Sequence, residues 1–290
     1  MHEFLQKSIK FFLSKSLPYL CGKGLSRYTF LMTPYSHLVR SLKTPQKVVE
    51  IQGNKMFLDK NDTLELSLWG VYEPLETKLF MNTLKKGDIV VDIGAHIGYY
   101  TLIAAKIIGI HGRVYAFEPD PANFELLEKN IDHNSYANVI IEKKAVGDTN
   151  DKIRLYLSNN NTGDHRIYNF DDKRRSVEIE AICLDDYFKG YESTIDLIKM
   201  DVQGAEGIAL QGMKNVLTLN KKLKVLMEFT PEALLKCHTD PEGLLKEIIG
   251  YGYKIYLIDD REQKLQAATI VEVMNKCEVL MHVNLFLSHN

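Results

Sequence analysis

The chain has 290 residues and a mass of 33.2 kDa, with 45% apolar and 26% charged residues, which suits a globular protein with one substantial core. A formal net charge of −2 argues against general nucleic-acid binding, which shows a basic balance. No apolar run approaches the roughly 18 to 20 residues of a membrane span, and no sustained signal-type apolar stretch opens the chain, so a cytoplasmic protein is expected.

Residues 1–47 are basic, with Lys7, Lys10, Lys15, Lys23, Arg27, Arg40, Lys43 and Lys47 against Glu3. Phe4, Leu5, Ile9, Phe12 and Leu13 share one face at helical spacing. Two readings stand. One is a helix packed on the main domain or on a second subunit, in a homo-oligomer. The other is a basic amphipathic element on an anionic membrane surface, which makes the protein peripheral to the inner face of the membrane. After Pro45, VVEIQGNKMFLD reads as a hairpin with Gly53-Asn54 as its loop. Residues 1–68 are therefore expected to form a helical and hairpin extension, and 69–290 the main domain.

Trp69 to Lys85 reads as a helix ending at the Lys86-Gly87 turn. From there strands and helices alternate. Strand-like runs cover 89–93, 113–118, 138–143, 196–201, 223–229 and 253–258, and a last run covers 279–287. Asp120-Pro121, Thr230-Pro231 and Asp240-Pro241 each place a capping side chain before a proline at a helix start. Such alternation predicts an α/β fold with a mostly parallel sheet covered by helices on both faces. Between the third and fourth strands, residues 152–184 form an insertion, with two strand-like runs flanking a long polar stretch. Cys21, Cys183, Cys237 and Cys277 are widely spaced, with no C-x-x-C pair; free thiols are expected, and no zinc site can be read from them.

The strongest signal is VVDIGAHIGYYT, residues 90–101, followed by RVYAFE ending at Glu118. A β-branched strand ending in Asp92 runs into a turn with Gly94 and Gly98, and then into a helix. Glycines allow close backbone approach, and the helix start offers free N–H groups. Glu118, at the end of the next strand, is placed to accept hydrogen bonds from ribose hydroxyls. A dinucleotide site wants G-x-G-x-x-G, but His96 and Tyr99 stand where its later glycines belong. The G-x-x-x-G spacing instead suits S-adenosylmethionine, which carries no phosphate.

DIGAHIGYYT, the preceding WGVYEPLET and KKGD, then AFEPDP, KKAVGD, LDDY and KMDVQGAE resemble the FkbM family of S-adenosylmethionine-dependent methyltransferases, in that order from Trp69 to Glu206. The resemblance implies a Rossmann-like class I methyltransferase fold, with a seven-stranded sheet whose last strand is antiparallel. It further implies methyl transfer to a hydroxyl group, often on sugars, glycolipids or related natural products.

At the predicted strand ends, Asp92, Gly94, Ala95, His96, Gly98 and Tyr99 are candidates for the methionine end of the cofactor. Glu118 and Pro119 are candidates for its ribose, and Ala145 and Val146 for its adenine. Tyr72 and Glu73 could fold over the methionine end, with Tyr72 or Tyr99 facing the sulfonium; Tyr72 could equally be core and Glu73 a helix-start residue. An alcohol acceptor needs its proton removed, which points to Asp201, beside the cofactor, and Glu206 as proton acceptors or orienting groups, with His165 as a further candidate base. Capping of the helix start is the competing role for Glu206. Glu228 and Arg166 are expected to face the acceptor. Asp201 and Glu228 alone are thin evidence for a metal, and none is assigned. Two other readings are a catalytically silent S-adenosylmethionine-binding scaffold, and an oxidoreductase, which the missing glycines disfavour.

Overall fold

A computed structural model describes residues 43, 48–159, 161–169, 173–191, 194–260 and 262–289. The amphipathic N-terminal segment expected above, and Cys21, lie outside the described residues. The chain next forms a hairpin, β1 (Val49–Ile51) and β2 (Asn54–Met56). Its register pairs Ile51 with Asn54, so the two-residue turn is Gln52-Gly53 rather than Gly53-Asn54. Both turn residues have positive φ, 50° and 72°, as the tight turn of a right-twisted hairpin demands. The side-chain amides of Asn130 and Asn134 bond the backbone of Phe57 and Lys55 and so tie the hairpin to the main body.

The expected helix over 69–85 is two helices, α1 (Leu66–Trp69) and α2 (Pro74–Thr83). Gly70 closes the first in the left-handed region, and Pro74 opens the second; Glu73 between them is also left-handed, at φ 43°. The rest alternates: β3 (Ile89–Ile93), α3 (Tyr99–Ile108), β4 (Arg113–Phe117), α4 (Pro121–Asn134), β5 (Val139–Glu142), β6 (Lys144–Val146), β7 (Lys152–Tyr156), β8 (Ser176–Ile182), α5 (Leu184–Tyr187), β9 (Leu197–Met200), α6 (Glu206–Gln211), α7 (Lys214–Leu219), β10 (Lys224–Phe229), α8 (Pro231–Lys236), α9 (Pro241–Gly250), β11 (Lys254–Asp259), β12 (Lys264–Ala267), α10 (Ile270–Leu280) and β13 (Val283–Ser288).

The central sheet runs β12-β11-β13-β10-β9-β3-β4-β5. Strands β5, β4, β3, β9 and β10 are parallel, and β13 is antiparallel to both β10 and β11. This is the expected seven-stranded Rossmann-like sheet with an antiparallel last strand. An eighth strand, β12, extends the edge by a hairpin with β11. The last strand starts at Val283, because Val279 and Leu280 finish the preceding helix. Buried β-branched and leucine side chains on β3, β4, β9 and β10 form a core on each face of the sheet, one beneath α3 and α4 and the other beneath α6 to α10. The insertion folds as expected into strands, β7 and β8, which join β6 in a separate three-stranded sheet.

Candidate active site

Strand order reverses between β3 and β9, so the loops after these strands diverge and leave a crevice at their carboxyl ends. An open cleft with about 1210 Å³ of empty space lies there. It is lined by Asp92, Gly94, Ala95, His96 and Tyr99 from the glycine turn, by Glu118 and Pro119 after β4, by Ala145 and Val146 on β6, by Asp201 after β9, and by Tyr72, His165 and Arg166. Thirteen of the residues proposed from sequence thus share one rim. Gly98, Glu73, Glu206 and Glu228 stand behind it.

The glycine turn is built for close approach. Gly94 has φ 79°, and a β-carbon there would lie 2.0 Å from the carbonyl oxygen of Asp201. The main-chain N–H groups of Gly94 and Ala95 both donate to the carbonyl of Phe117, and that of Asp201 to Ile93, which binds the three strand ends together. Gly98 has a different reason to be glycine: at φ 94° its β-carbon would meet Leu127 at 2.8 Å, so it serves the packing of α3 on α4.

Glu118 is buried, and one oxygen accepts the N–H of His96 at 2.8 Å while the other accepts that of Asp120 at 2.9 Å. Burial pushes its carboxyl up to about 7 despite these bonds. Asp92 accepts the hydroxyl of Thr101 at 2.5 Å, and burial pushes it up to about 6. Tyr99 lends its hydroxyl to the N–H of Tyr72 at 3.1 Å, and Thr77 donates to the Tyr72 carbonyl at 2.6 Å, which fixes Tyr72 at the cleft edge. Glu73 does not line the cleft. Its carboxyl accepts the amide of Asn284 at 2.7 Å, and burial, with Glu76 nearby, pushes it up to about 8.

Glu206 lies under the loop that follows β9. One oxygen accepts the N–H groups of Val202 and Gly204, both at 3.2 Å, which is the geometry of a turn-holding carboxylate. Its residue is 1% exposed, and burial pushes it up to about 7. Nδ1 of His165 accepts the N–H of Ser158 at 3.0 Å, and Nε2 lies near Asp120 at 3.8 Å, beyond hydrogen-bond distance. A ring held in this way anchors the insertion. Arg166 is buried, with its guanidinium 4.9 Å over the Tyr168 ring and its backbone paired with Tyr156. Thr230 does not cap its helix by a side-chain bond as expected; its hydroxyl donates to Glu228 at 3.2 Å. The gap between Asp201 and Glu228 holds the amide nitrogen of Gln203, 2.7 Å from each acid.

Four cleft residues escaped the sequence reading. Lys199 lines the cleft and pairs with buried Glu76 at 3.0 Å. Burial alone would lower its ammonium, but the carboxylates of Glu76, Asp201 and Glu73 outweigh that and raise it. A lysine inside the apolar run LIKM was the available signal. Thr162, at the tip of the insertion, bonds the His96 ring at 2.8 Å and contacts Thr63 at 3.1 Å, and its carbonyl accepts the Asn123 amide at 3.0 Å. The insertion tip thereby covers the glycine turn. Asn123 and Thr63 line the same cleft, and no sequence feature marked either.

The sheet and its cleft define a Rossmann-like α/β protein of the class I methyltransferase type. The chain belongs to the methyltransferase FkbM domain family, whose model matches residues 92–255, more than half of its length. It is similar to the hexuronic acid methyltransferase AglP of Haloferax volcanii, with 27% identity over 144 residues, 48% of this chain and 56% of that protein. The chain thus matches little more than half the length of this curated relative. Among solved structures it is similar to an FkbM methyltransferase from Methylobacillus flagellatus, with 18% identity over 70% of this chain and 44% of that one at a TM-score of 0.42. It is also similar to an O-methyltransferase from Thermotoga maritima, with 14% identity, 75% and 65% coverage and a TM-score of 0.42.

Proposed function

We propose that the protein transfers a methyl group from S-adenosylmethionine to a hydroxyl group of a carbohydrate, glycolipid or related natural product. The observation that carries this reading is the convergence of Gly94, Glu118 and Asp201 on one cleft at the ends of three adjacent parallel strands. The fit to the donor can be argued from these residues. Gly94 lets the turn pack against the Asp201 carbonyl and present bare backbone to the cleft, Glu118 offers a buried carboxyl to ribose, and Asp92, Asp201 and Tyr72 suit a cationic methionine end. Ala145 and Val146 provide an apolar wall for adenine. The donor, when bound, supplies a methyl carbon activated by a positively charged sulfur leaving group.

The protein's share is orientation and proton removal. Holding the reacting atoms in line supplies several kcal/mol, up to roughly 7–11 in well-oriented systems. Asp201 is the proposed proton acceptor, since among the acids singled out from sequence it alone both lines the cleft and follows β9. Glu206 and His165 are proposed as supports, the first for the Asp201 loop and the second for the insertion. Arg166, with Glu228 behind it, is proposed to face the acceptor, and the hexuronic acid named for the Haloferax volcanii relative makes acidic sugars the first acceptors to try.

The test is an assay with S-adenosylmethionine and a panel of neutral sugars, uronic acids and glycolipids, read by mass spectrometry as the gain of one CH2. Asp201→Asn should lose roughly 10²- to 10⁴-fold in turnover, the range for general acid–base catalysis, while binding S-adenosylhomocysteine normally. An Asp201→Asn enzyme with full activity contradicts the assignment.

A further inference from the structure

Strands β9 and β10 are parallel neighbours, and their ends present two carboxyl groups to one amide. Nε2 of Gln203 lies 2.7 Å from Oδ1 of Asp201 and 2.7 Å from Oε2 of Glu228, so these oxygens are no farther apart than twice that distance. An amide nitrogen has two hydrogens, one for each acid, and turning the amide round would set its oxygen against both. Gln203 makes this clasp from a left-handed backbone, φ 52°, a conformation costly for a residue with a side chain. Thr230 holds the other Glu228 oxygen at 3.2 Å.

The donors on Gln203 and Thr230 favour the ionised forms, whereas burial and the nearness of two carboxyls favour retention of one proton. Burial first, and Asp201 next, push the Glu228 carboxyl well above the usual carboxylate range. Facing the pair are Glu206 from α6, Glu73 and Tyr72 from the segment before α2, Asp92 from β3, and His96 from the glycine turn. Lys199, two residues before Asp201, is the cation of this set, and it is already engaged by Glu76.

We propose that Asp201 and Glu228 act as one proton-sharing carboxyl pair, clasped by Gln203, which keeps a proton in the ligand-free enzyme, sheds it when a cationic methyl donor enters the cleft, and takes the acceptor's proton during transfer. The proposal rests on the reading of this cleft as a methyl-donor site. A positive charge near two carboxyls favours their ionised forms, and the neutral product does not. In the transfer the sulfur–carbon bond breaks with its electrons left on sulfur, the acceptor oxygen bonds the methyl carbon, and the oxygen's proton passes to the pair. The positive charge lost from sulfur is carried off as that proton. Glu228 is here a positioning residue that acts through Asp201.

Calorimetric titration of S-adenosylmethionine and of S-adenosylhomocysteine, each at pH 7 in buffers of low and high ionisation enthalpy, counts the protons released. The cationic donor should release more protons than the neutral product, by a large fraction of one. Glu228→Gln keeps the side chain's size but cannot ionise, so it should abolish that difference while both ligands still bind; Glu206→Gln should preserve it. Equal proton counts in the unaltered enzyme, or a difference that survives in Glu228→Gln, overturn the pair. Loss in Glu206→Gln with retention in Glu228→Gln also overturns it, since the proton then belongs to the other acid. Failure of either ligand to bind the unaltered enzyme is a separate result, which overturns the donor-site reading itself.

Discussion

Lys199 and Glu76 meet at 3.0 Å, with their side chains 3% and 0% exposed, directly beneath the cleft. Tyr100 adds its hydroxyl to the same carboxylate at 3.2 Å. Two charges so deep stabilise little as a pair, yet either one left alone is expensive. Lys199→Met should therefore destabilise the protein by about 3–5 kcal/mol, and the double variant Lys199→Met/Glu76→Met should regain most of that loss. Chemical denaturation of the three proteins decides the matter: equal stability of single and double variants would show that the charges are not coupled.

The buried acids give the ligand-free protein an unusual pH dependence. Glu118, Glu206 and Glu73 are pushed up to about 7, 7 and 8 in the fold, against an ordinary 4.5. Above pH 6.5 the unfolded chain has already lost these protons while the folded protein still holds part of them. The unfolded chain then holds fewer protons than the folded protein, so stability falls as pH rises through these folded values, last through that of Glu73 at about 8. His96 and His165 are held neutral by burial and favour the fold with rising pH only up to their ordinary 6.5, below this window. The melting temperature should drop between pH 6.5 and 8; a rise would contradict the assignments.

Glu118→Gln tests the ribose role. The variant replaces an acceptor-only group with one that cannot serve both the His96 and Asp120 N–H groups and two hydroxyls. Loss of charge-assisted hydrogen bonds costs about 1.5–3 kcal/mol, or roughly ten- to hundredfold in affinity for S-adenosylhomocysteine. Unchanged affinity by titration calorimetry would remove Glu118 from the site.

The insertion tip is a separable element. Thr162→Val keeps the shape but deletes the hydroxyl that bonds His96 and Thr63. The cost should be about 1 kcal/mol per bond, felt as a several-fold loss of S-adenosylhomocysteine affinity with little change in melting temperature. Equal affinities for the two proteins would mean that the tip does not form the roof of the donor site.

What could be read from the sequence follows its physical signals. Buried parallel strands such as IVVDI carry continuous apolar runs, and the punctuation at Asp120-Pro121 and Asp240-Pro241 marks helix starts that the structure caps with those aspartates. The glycine turn and Glu118 were legible because the strand–turn–helix geometry restricts residue type there. Strand β12 was not, since all four of its residues are exposed and KLQA has no apolar alternation. The hairpin turn was misplaced by one residue because a left-handed Gln52 leaves no compositional trace. Lys199 and Thr162 were missed because their roles depend on partners 123 and 66 positions away, Glu76 and His96. Glu206 was recognised, but only the fold reveals that its oxygen already holds the turn at Val202 and Gly204.

The crevice between β3 and β9 should accept a sulfonium nucleoside rather than a dinucleotide. Titration calorimetry of the purified protein with S-adenosylhomocysteine and, separately, with NADH addresses it in one experiment. Single-site binding of S-adenosylhomocysteine, weakened in Glu118→Gln, and no heat from NADH are the expected results. Saturable binding of NADH with none of the homocysteine product would contradict it.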